Sequence, residues 1–273
     1  MSKPNILVDR KALEMNRNRA IGRDEYFLHE LAIAEIKDRL RSINRDFKSI
    51  AIVSGLSFPW GKAFPKATII QDKENLDLTH GQYDLVIHGM VLHWANDPVG
   101  QLIQARLALK NDGLMIAVCL GGTTLHELRN VFIEAETKLF GGIHPRFMPL
   151  AEIRDLGSLM QRAGFALPVA DSTITECLYN GFYEILHDLR AMAETNVLID
   201  RTKYFSRRGL FKYASELYEK KCSRPDKMVS ATYEQIYLTG WAPDPSQQKP
   251  LSPGSAQARL ADALRSKESY LPD

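Results

Sequence analysis

His93 and Trp94 follow directly on the apolar run of "YDLVIHGMVLHWANDP". An imidazole just past a strand end can orient an acceptor or act as a base near neutral pH. The structural alternative has Trp94 packing on the next helix while His93 bonds locally. Further on, "GGTTLHELR" places His126 and Arg129 three apart, on one face of a helix turned toward a cleft. The two glycines before that helix make a possible anion site, with Thr123 or Thr124 as N-cap and Glu127 within capping-box reach. "GGIHPRFMP" (141–149) holds His144 and Arg146 in a loop suited to a lid or to partner recognition, or simply to a rigid joint. Upstream, Gly55 sits where the chain turns after the short apolar run 50–53, and Asp72 closes a second apolar run. His88, among apolar neighbours, reads as a core histidine. No His, Asp or Glu pair has metal-ligand spacing, so no metal site is expected and a facial-triad iron hydroxylase finds no support in the pattern.

The elements that carry these residues alternate. Residues 24–41 have helical periodicity, with Asp24 as a plausible N-cap. Candidate strands follow at 50–54, 67–71 and 84–88. "NDPVGQLIQARLALKNDG" is a helix capped by Asn96 or Asp97, with Pro98 at its first position. It stops at "KNDG", where Gly113 is able to take positive φ. A strand at 114–120, helices near 124–139 and 150–165, a strand near 173–179, helical spacing in 181–194 and 203–221, and a last strand at 231–243 complete the pattern. Strands and helices joined by short loops imply a doubly wound, mainly parallel α/β sheet, which binds ligands beyond the carboxyl ends of its strands.

Composition narrows the class. A net charge of +2 makes nucleic acid an unlikely main partner, and "LMIAVCL" is too short to span a bilayer. The N-terminal arginines resemble a transit peptide, but Asp9, Glu14, Asp24 and Glu25 supply acids that such peptides avoid. Cys119, Cys177 and Cys222 match no zinc or disulfide spacing, which suits a reducing cytoplasm. The organisation expected is an N-terminal helical segment (1–46), a main domain (47–243) with a helical insertion at about 181–225, and a C-terminal extension (244–273).

"YDLVIHGMVLHWANDP" and "ALKNDGLMIAVCLGG" resemble the fourth- and fifth-strand blocks of class I S-adenosylmethionine (SAM) methyltransferases, a Rossmann-like fold. "GGTTLHELR", "AETKLFGGIHPRFMP", "DLGSLMQRAGF", "ATYEQIYLTGW" and "PGSA" resemble one subfamily, the methyltransferase-like complex I assembly factors of arginine-hydroxylase type. That subfamily is related to the biotin-pathway carboxyl methyltransferases. The resemblance implies SAM held by Gly55, Asp72, Leu92 and Trp94, with His93 in the catalytic position. It implies substrate or partner contacts at His126, Arg129, His144 and Arg146, and a protein partner that is a respiratory complex I subunit.

The chain departs from the family at one place. Val53 stands where the first strand should end in an acid, and "SGLS" replaces the double-glycine loop. The span from Gly55 to Asp72 is too short for a full helix, strand and helix, so one β–α unit, with the acid that holds the ribose, is expected to be shortened or missing near 53–72. Each lost charge-assisted hydrogen bond costs about 1.5–3 kcal/mol, enough for two or three to weaken SAM binding by orders of magnitude. The Asn-Pro-Pro-aromatic signature of amino-group methylation of bases is absent. Three functions stay open: an active small-molecule or carboxyl methyltransferase, an assembly factor acting on a partner by hydroxylation or as a chaperone, and a pseudoenzyme that keeps the fold and its recognition surface.

Overall fold

The computed structural model describes residues 6–23, 25–248, 254–255 and 258–266, and the chain divides after Pro243 into two units. Asp24 and part of "PGSA" lie outside the described residues. The first unit opens with helices α1 (Arg10–Ala20) and α2 (Phe27–Ser42). Then come β1 (Ile50–Ser54), α3 (Ser57–Ala63), β2 (Thr68–Gln71), β3 (Tyr83–Gly89), α4 (Pro98–Ala108) and β4 (Leu109–Leu120). After these follow α5 (His126–Phe140), α6 (Ile153–Arg162), β5 (Ala166–Tyr179), α7 (Phe182–Ala191), α8 (Arg208–Cys222) and β6 (Val229–Trp241).

The strands form one six-stranded sheet in the order β2-β1-β3-β4-β6-β5. β1 pairs in parallel with β2 and β3, and β3 with β4, whereas β6 runs antiparallel between β4 and β5. The mainly parallel sheet is the expected one. So is the shortened edge: the 53–72 segment supplies only the seven-residue α3 and the four-residue β2 before β3 begins. No further strand flanks β2 among the described residues.

Side-chain alternation explains why helices cover both faces. Along β4, Leu114, Ile116, Val118 and Leu120 enter one core with residues of α2, α5, α7 and α8. Met115, Ala117 and Cys119 enter a second core with residues of α4 and α6. A strand buried on both faces reads as a continuous apolar run, as "LMIAVCL" does. α4 begins as its sequence requires: the Asp97 carboxylate accepts from the Gly100 N–H, and Pro98 stands at the first position.

Two local expectations are corrected. In "KNDG" the residue at positive φ is Asp112 (φ 56°), not Gly113, because the chain bulges inside β4 instead of stopping before it. α5 starts at His126, after Leu125 in the left-handed region, and there is no capping box. Thr123 and Thr124 instead tie to Glu234 of β6, while Glu127 accepts from Thr232, so the polar groups at this turn bond across to the sheet. The second unit contains the short helix Leu260–Leu264, and near its start Asp244 accepts from Ser246.

Candidate functional site

The parallel strands end on one side of the sheet, where Gly55, Asp72, the 3-10 turn Leu92–Trp94 and Gly121–Thr124 gather. The helix α1 lies against this edge. Arg10 and Arg17 stand two helical turns apart on one face, and both reach Asp72. Arg17 donates to Oδ2 at 2.7 Å, while Arg10 pairs with Oδ1 at 3.1 Å. Arg10 also donates to the Asp72 and Trp94 carbonyls. The Asp72 side chain has no exposed area. Desolvation pushes its carboxyl up, but the charges and hydrogen bonds of Arg17 and Arg10 together outweigh this and hold it below the usual carboxylate range.

Gly55 offers the other half of the expected cofactor cradle, and it is covered. A Cβ built there would overlap the Arg17 guanidinium, so the arginine lies where a cofactor would approach the backbone. The remaining space beside Gly55, Leu56, Val91 and Trp94 is about 10 Å³, room for at most about one water. Leu92 is buried on the second core and faces no cavity found beside Gly55.

His93 and Trp94 meet a residue that the sequence reading did not select. His93 Nε2 lies 3.1 Å from a Glu194 oxygen, and the Trp94 indole N–H points to the other oxygen at 3.5 Å. The Leu120 N–H approaches His93 Nδ1 at 3.5 Å. The His93 and Glu194 side chains are 3% and 6% exposed, so this pair is a floor and not a surface contact. Above it opens a cavity of about 300 Å³, walled by Leu128, Phe132, Leu186, Leu189 and Phe211 and carrying Arg129, Arg146 and Arg190.

The four recognition candidates separate. Arg129 lines this cavity and donates to the Gly122 and Thr124 carbonyls, at 3.3 and 3.4 Å. His126 does not line it; the ring is exposed and bonds back to the Thr123 carbonyl. His144 and Arg146 have a structural duty that the loop's polarity concealed. Both bind Glu136, whose side chain is 2% exposed, and Arg146 also lies over the Phe132 ring. Burial pushes the Glu136 carboxyl up, but the His144 N–H and Arg146 more than compensate and leave it below its ordinary value.

Two buried histidines flank the site. His29 accepts from the Trp60 indole, and His88 Nε2 meets Gln101, which in turn donates to Asp72. Each keeps one ring nitrogen without a partner. Desolvation pushes both imidazoles down to about 4, so both are neutral near pH 7. On the surface, Glu25, His187 and Asp188 bring ligand atoms within 4.8 Å of one another. This grouping arises only from tertiary contact, and nothing else in the structure points to an ion there. The residues missed by sequence reasoning are Arg10, Arg17, Arg190 and Glu194. Only Arg10 and Arg17 left a trace, their shared face on a short polar helix.

No protein-family model matches the chain. Curated sequences do. The arginine-hydroxylase NDUFAF5, mitochondrial, of Danio rerio is 35% identical over 198 residues, 72% of this chain and 61% of that protein. A malonyl-[acyl-carrier protein] O-methyltransferase of Laribacter hongkongensis is 30% identical over 188 residues, 69% of this chain and 61% of the enzyme. The chain thus spans about three-fifths of the length of the curated relatives it matches. Among solved structures, a candidate methyltransferase of Bacillus halodurans aligns over 78% of this chain and 99% of its own, at 12% identity and a TM-score of 0.47. The fold assignment rests on strand order and direction, not on that superposition.

Proposed function

Starting from a chain of the class I methyltransferase superfamily, homologous to arginine-hydroxylase NDUFAF5 and to the malonyl-[acyl-carrier protein] O-methyltransferases, we propose a protein that acts by recognising a protein partner, with its SAM cleft closed by its own first helix. The observation that carries this reading is Arg17, held over Gly55 by its ion pair with Asp72. Entry of SAM requires that guanidinium to leave a buried carboxylate, and charge-assisted bonds of this kind contribute about 1.5–3 kcal/mol each. The partner implied by the resemblance is a respiratory complex I subunit, on which the chain would act as an assembly factor, by arginine hydroxylation or as a chaperone. The recognition surface in this reading is the 141–149 loop with its exposed Ile143, beside the exposed Tyr204 and Phe205, with His126 and Arg129 at the start of α5. Three free cysteines suit a reducing compartment, either the cytoplasm of the sequence reading or the mitochondrion in the relatives' names. No helix among the described residues is long and apolar enough to cross a membrane.

Isothermal titration with SAM and S-adenosylhomocysteine tests the closed cleft. The expected dissociation constant is above roughly 100 μM, about 5.5 kcal/mol of binding. The Arg17→Ala variant should bind more tightly than the parent chain, because it uncovers Gly55. Low-micromolar binding by the parent, lost in Asp72→Ala, overturns the proposal and restores a second reading, an active small-molecule or carboxyl methyltransferase. That second reading draws on one observation: the His93 side of the site keeps an open cavity against which an acceptor can be positioned.

A further inference from the structure

The cavity above His93 and Glu194 is chemically lopsided. Its walls are aliphatic and aromatic, and nearly every polar side chain that reaches it is already engaged within the protein. Thr124 donates to the Glu234 carbonyl, Thr195 accepts from Asn16, and Asn196 bonds both Pro145 and Leu198. Both Glu194 oxygens are met, one by His93 and one by Trp94. Arg146 is neutralised by Glu136. Two guanidinium groups remain. Arg129 touches only backbone carbonyls, and the exposed Arg190 makes no side-chain bond or ion pair among the described residues.

A guanidinium has five N–H donors in a fixed fork that matches an anionic oxygen pair. Charges left free beside an apolar cavity therefore select for a ligand that is apolar along its length and anionic at one end. The size is set by the volume: about 300 Å³ is space for about ten water-sized groups. A cation is disfavoured, since the one carboxylate among the described residues that line the cavity, Glu194, already has its oxygens engaged.

We propose that this cavity binds a small amphipathic anion, a linear chain of about ten non-hydrogen atoms lying over Trp94 and Leu128 with its carboxylate between Arg129 and Arg190. The site is a binding site beside the cofactor cleft, and it holds whether or not SAM binds, because neither Arg10 nor Arg17 lines it.

Calorimetric titration of the full chain with decanoate, decylamine, decanol and butyrate is the test. Decanoate is expected to bind saturably at one site, at least tenfold more tightly than decylamine, which lacks the anion, and than butyrate, which lacks the chain. Arg190→Gln, an exposed substitution, should weaken decanoate at least threefold and leave decanol unchanged. Leu186→Trp, which places a ring in the cavity from a partly buried position, should abolish binding, with thermal unfolding recorded to show that the variant is folded. Equal affinity for decanoate and decylamine, no binding of decanoate, or decanoate binding unaltered by Arg190→Gln would each overturn the proposal. Decanoate binding combined with low-micromolar SAM binding would overturn only the closed-cleft reading.

Discussion

Replacing Asp72 with asparagine keeps the shape of the side chain and removes the buried charge that both Arg10 and Arg17 of α1 meet on the strand ends. The carboxylate is fully buried, and its partners Arg10 and Arg17 are 22% and 13% exposed, so Arg17 loses its counter-charge in a largely desolvated place and Arg10 is left with Glu74 at 3.8 Å. Breaking such a cluster from one side costs about 3–5 kcal/mol when everything is buried. Arg10 keeps its bonds to the Asp72 and Trp94 carbonyls and both arginines have some water, which lowers the expectation to about 3 kcal/mol. For a chain of this size that is a fall in midpoint of about 6–12 °C. The pH dependence follows from the lowered carboxyl pKa. A group whose folded pKa lies below its unfolded value contributes fully above the unfolded value, here 3.8, and loses its contribution as pH falls through the folded one. The gap between Asp72→Asn and the parent chain should therefore be full at pH 7 and narrow below about pH 4. Calorimetric unfolding from pH 7 to pH 3 measures both effects. A midpoint change under about 1 °C at pH 7, or a gap that does not narrow in acid, would refute the idea that this ion cluster fastens α1 over the cleft.

Other outcomes follow from neighbouring contacts. Gly89→Ala places a Cβ 2.6 Å from the buried Trp60 ring, and should cost about 1–3 kcal/mol of overpacking in urea unfolding. Arg146→Ala leaves Glu136 buried with His144 alone and should destabilise by about 1–3 kcal/mol, whereas Arg129→Ala, which removes only bonds to carbonyls, should cost about 1 kcal/mol or less. This ordering separates an arginine paired with a buried carboxylate from one that bonds only carbonyls, and equal midpoints for the two variants would contradict it. His29 and His88, neutral in the fold with pKa values of about 4, contribute stability that is full above 6.5 and is lost as pH falls toward 4. Unfolding free energy should drop by up to about 1.4 kcal/mol per pH unit for each histidine across that window, and His88→Gln should remove one share of the slope.

Much of the architecture was legible because it depends on near neighbours in the chain. "LMIAVCL" is continuously apolar because both faces of β4 are covered, and Asp97-Pro98 starts α4 because a cap and a first-turn proline act within one helical turn. The short Gly55–Asp72 span could hold only one small helix and one short strand, so the clipped sheet edge was a matter of chain length. Local rules also misled in two places. Thr124 and Glu127 have the spacing of a capping box, yet they bond to Glu234 and Thr232 because β6 lies within reach. Polar residues in the 141–149 loop looked free because Glu136, the buried carboxylate that needs them, sits on the core side of α5.

The site itself was only half visible. Gly55, Asp72 and Trp94 were named through the family resemblance, and His93 and Arg129 also by type and position, since turns after parallel strands converge on one edge of a doubly wound sheet. What occupies Gly55 was not readable, because Arg17 and Asp72 are 55 residues apart and meet only when α1 docks. The same holds for Glu194, 101 residues from His93 and positioned by the end of α7. Periodicity and capping are set by residues within a turn or a strand, and the sequence displays them directly. The pairing of buried charges is set by the desolvation cost of leaving any of them alone, a term that exists only once distant helices have closed over the sheet.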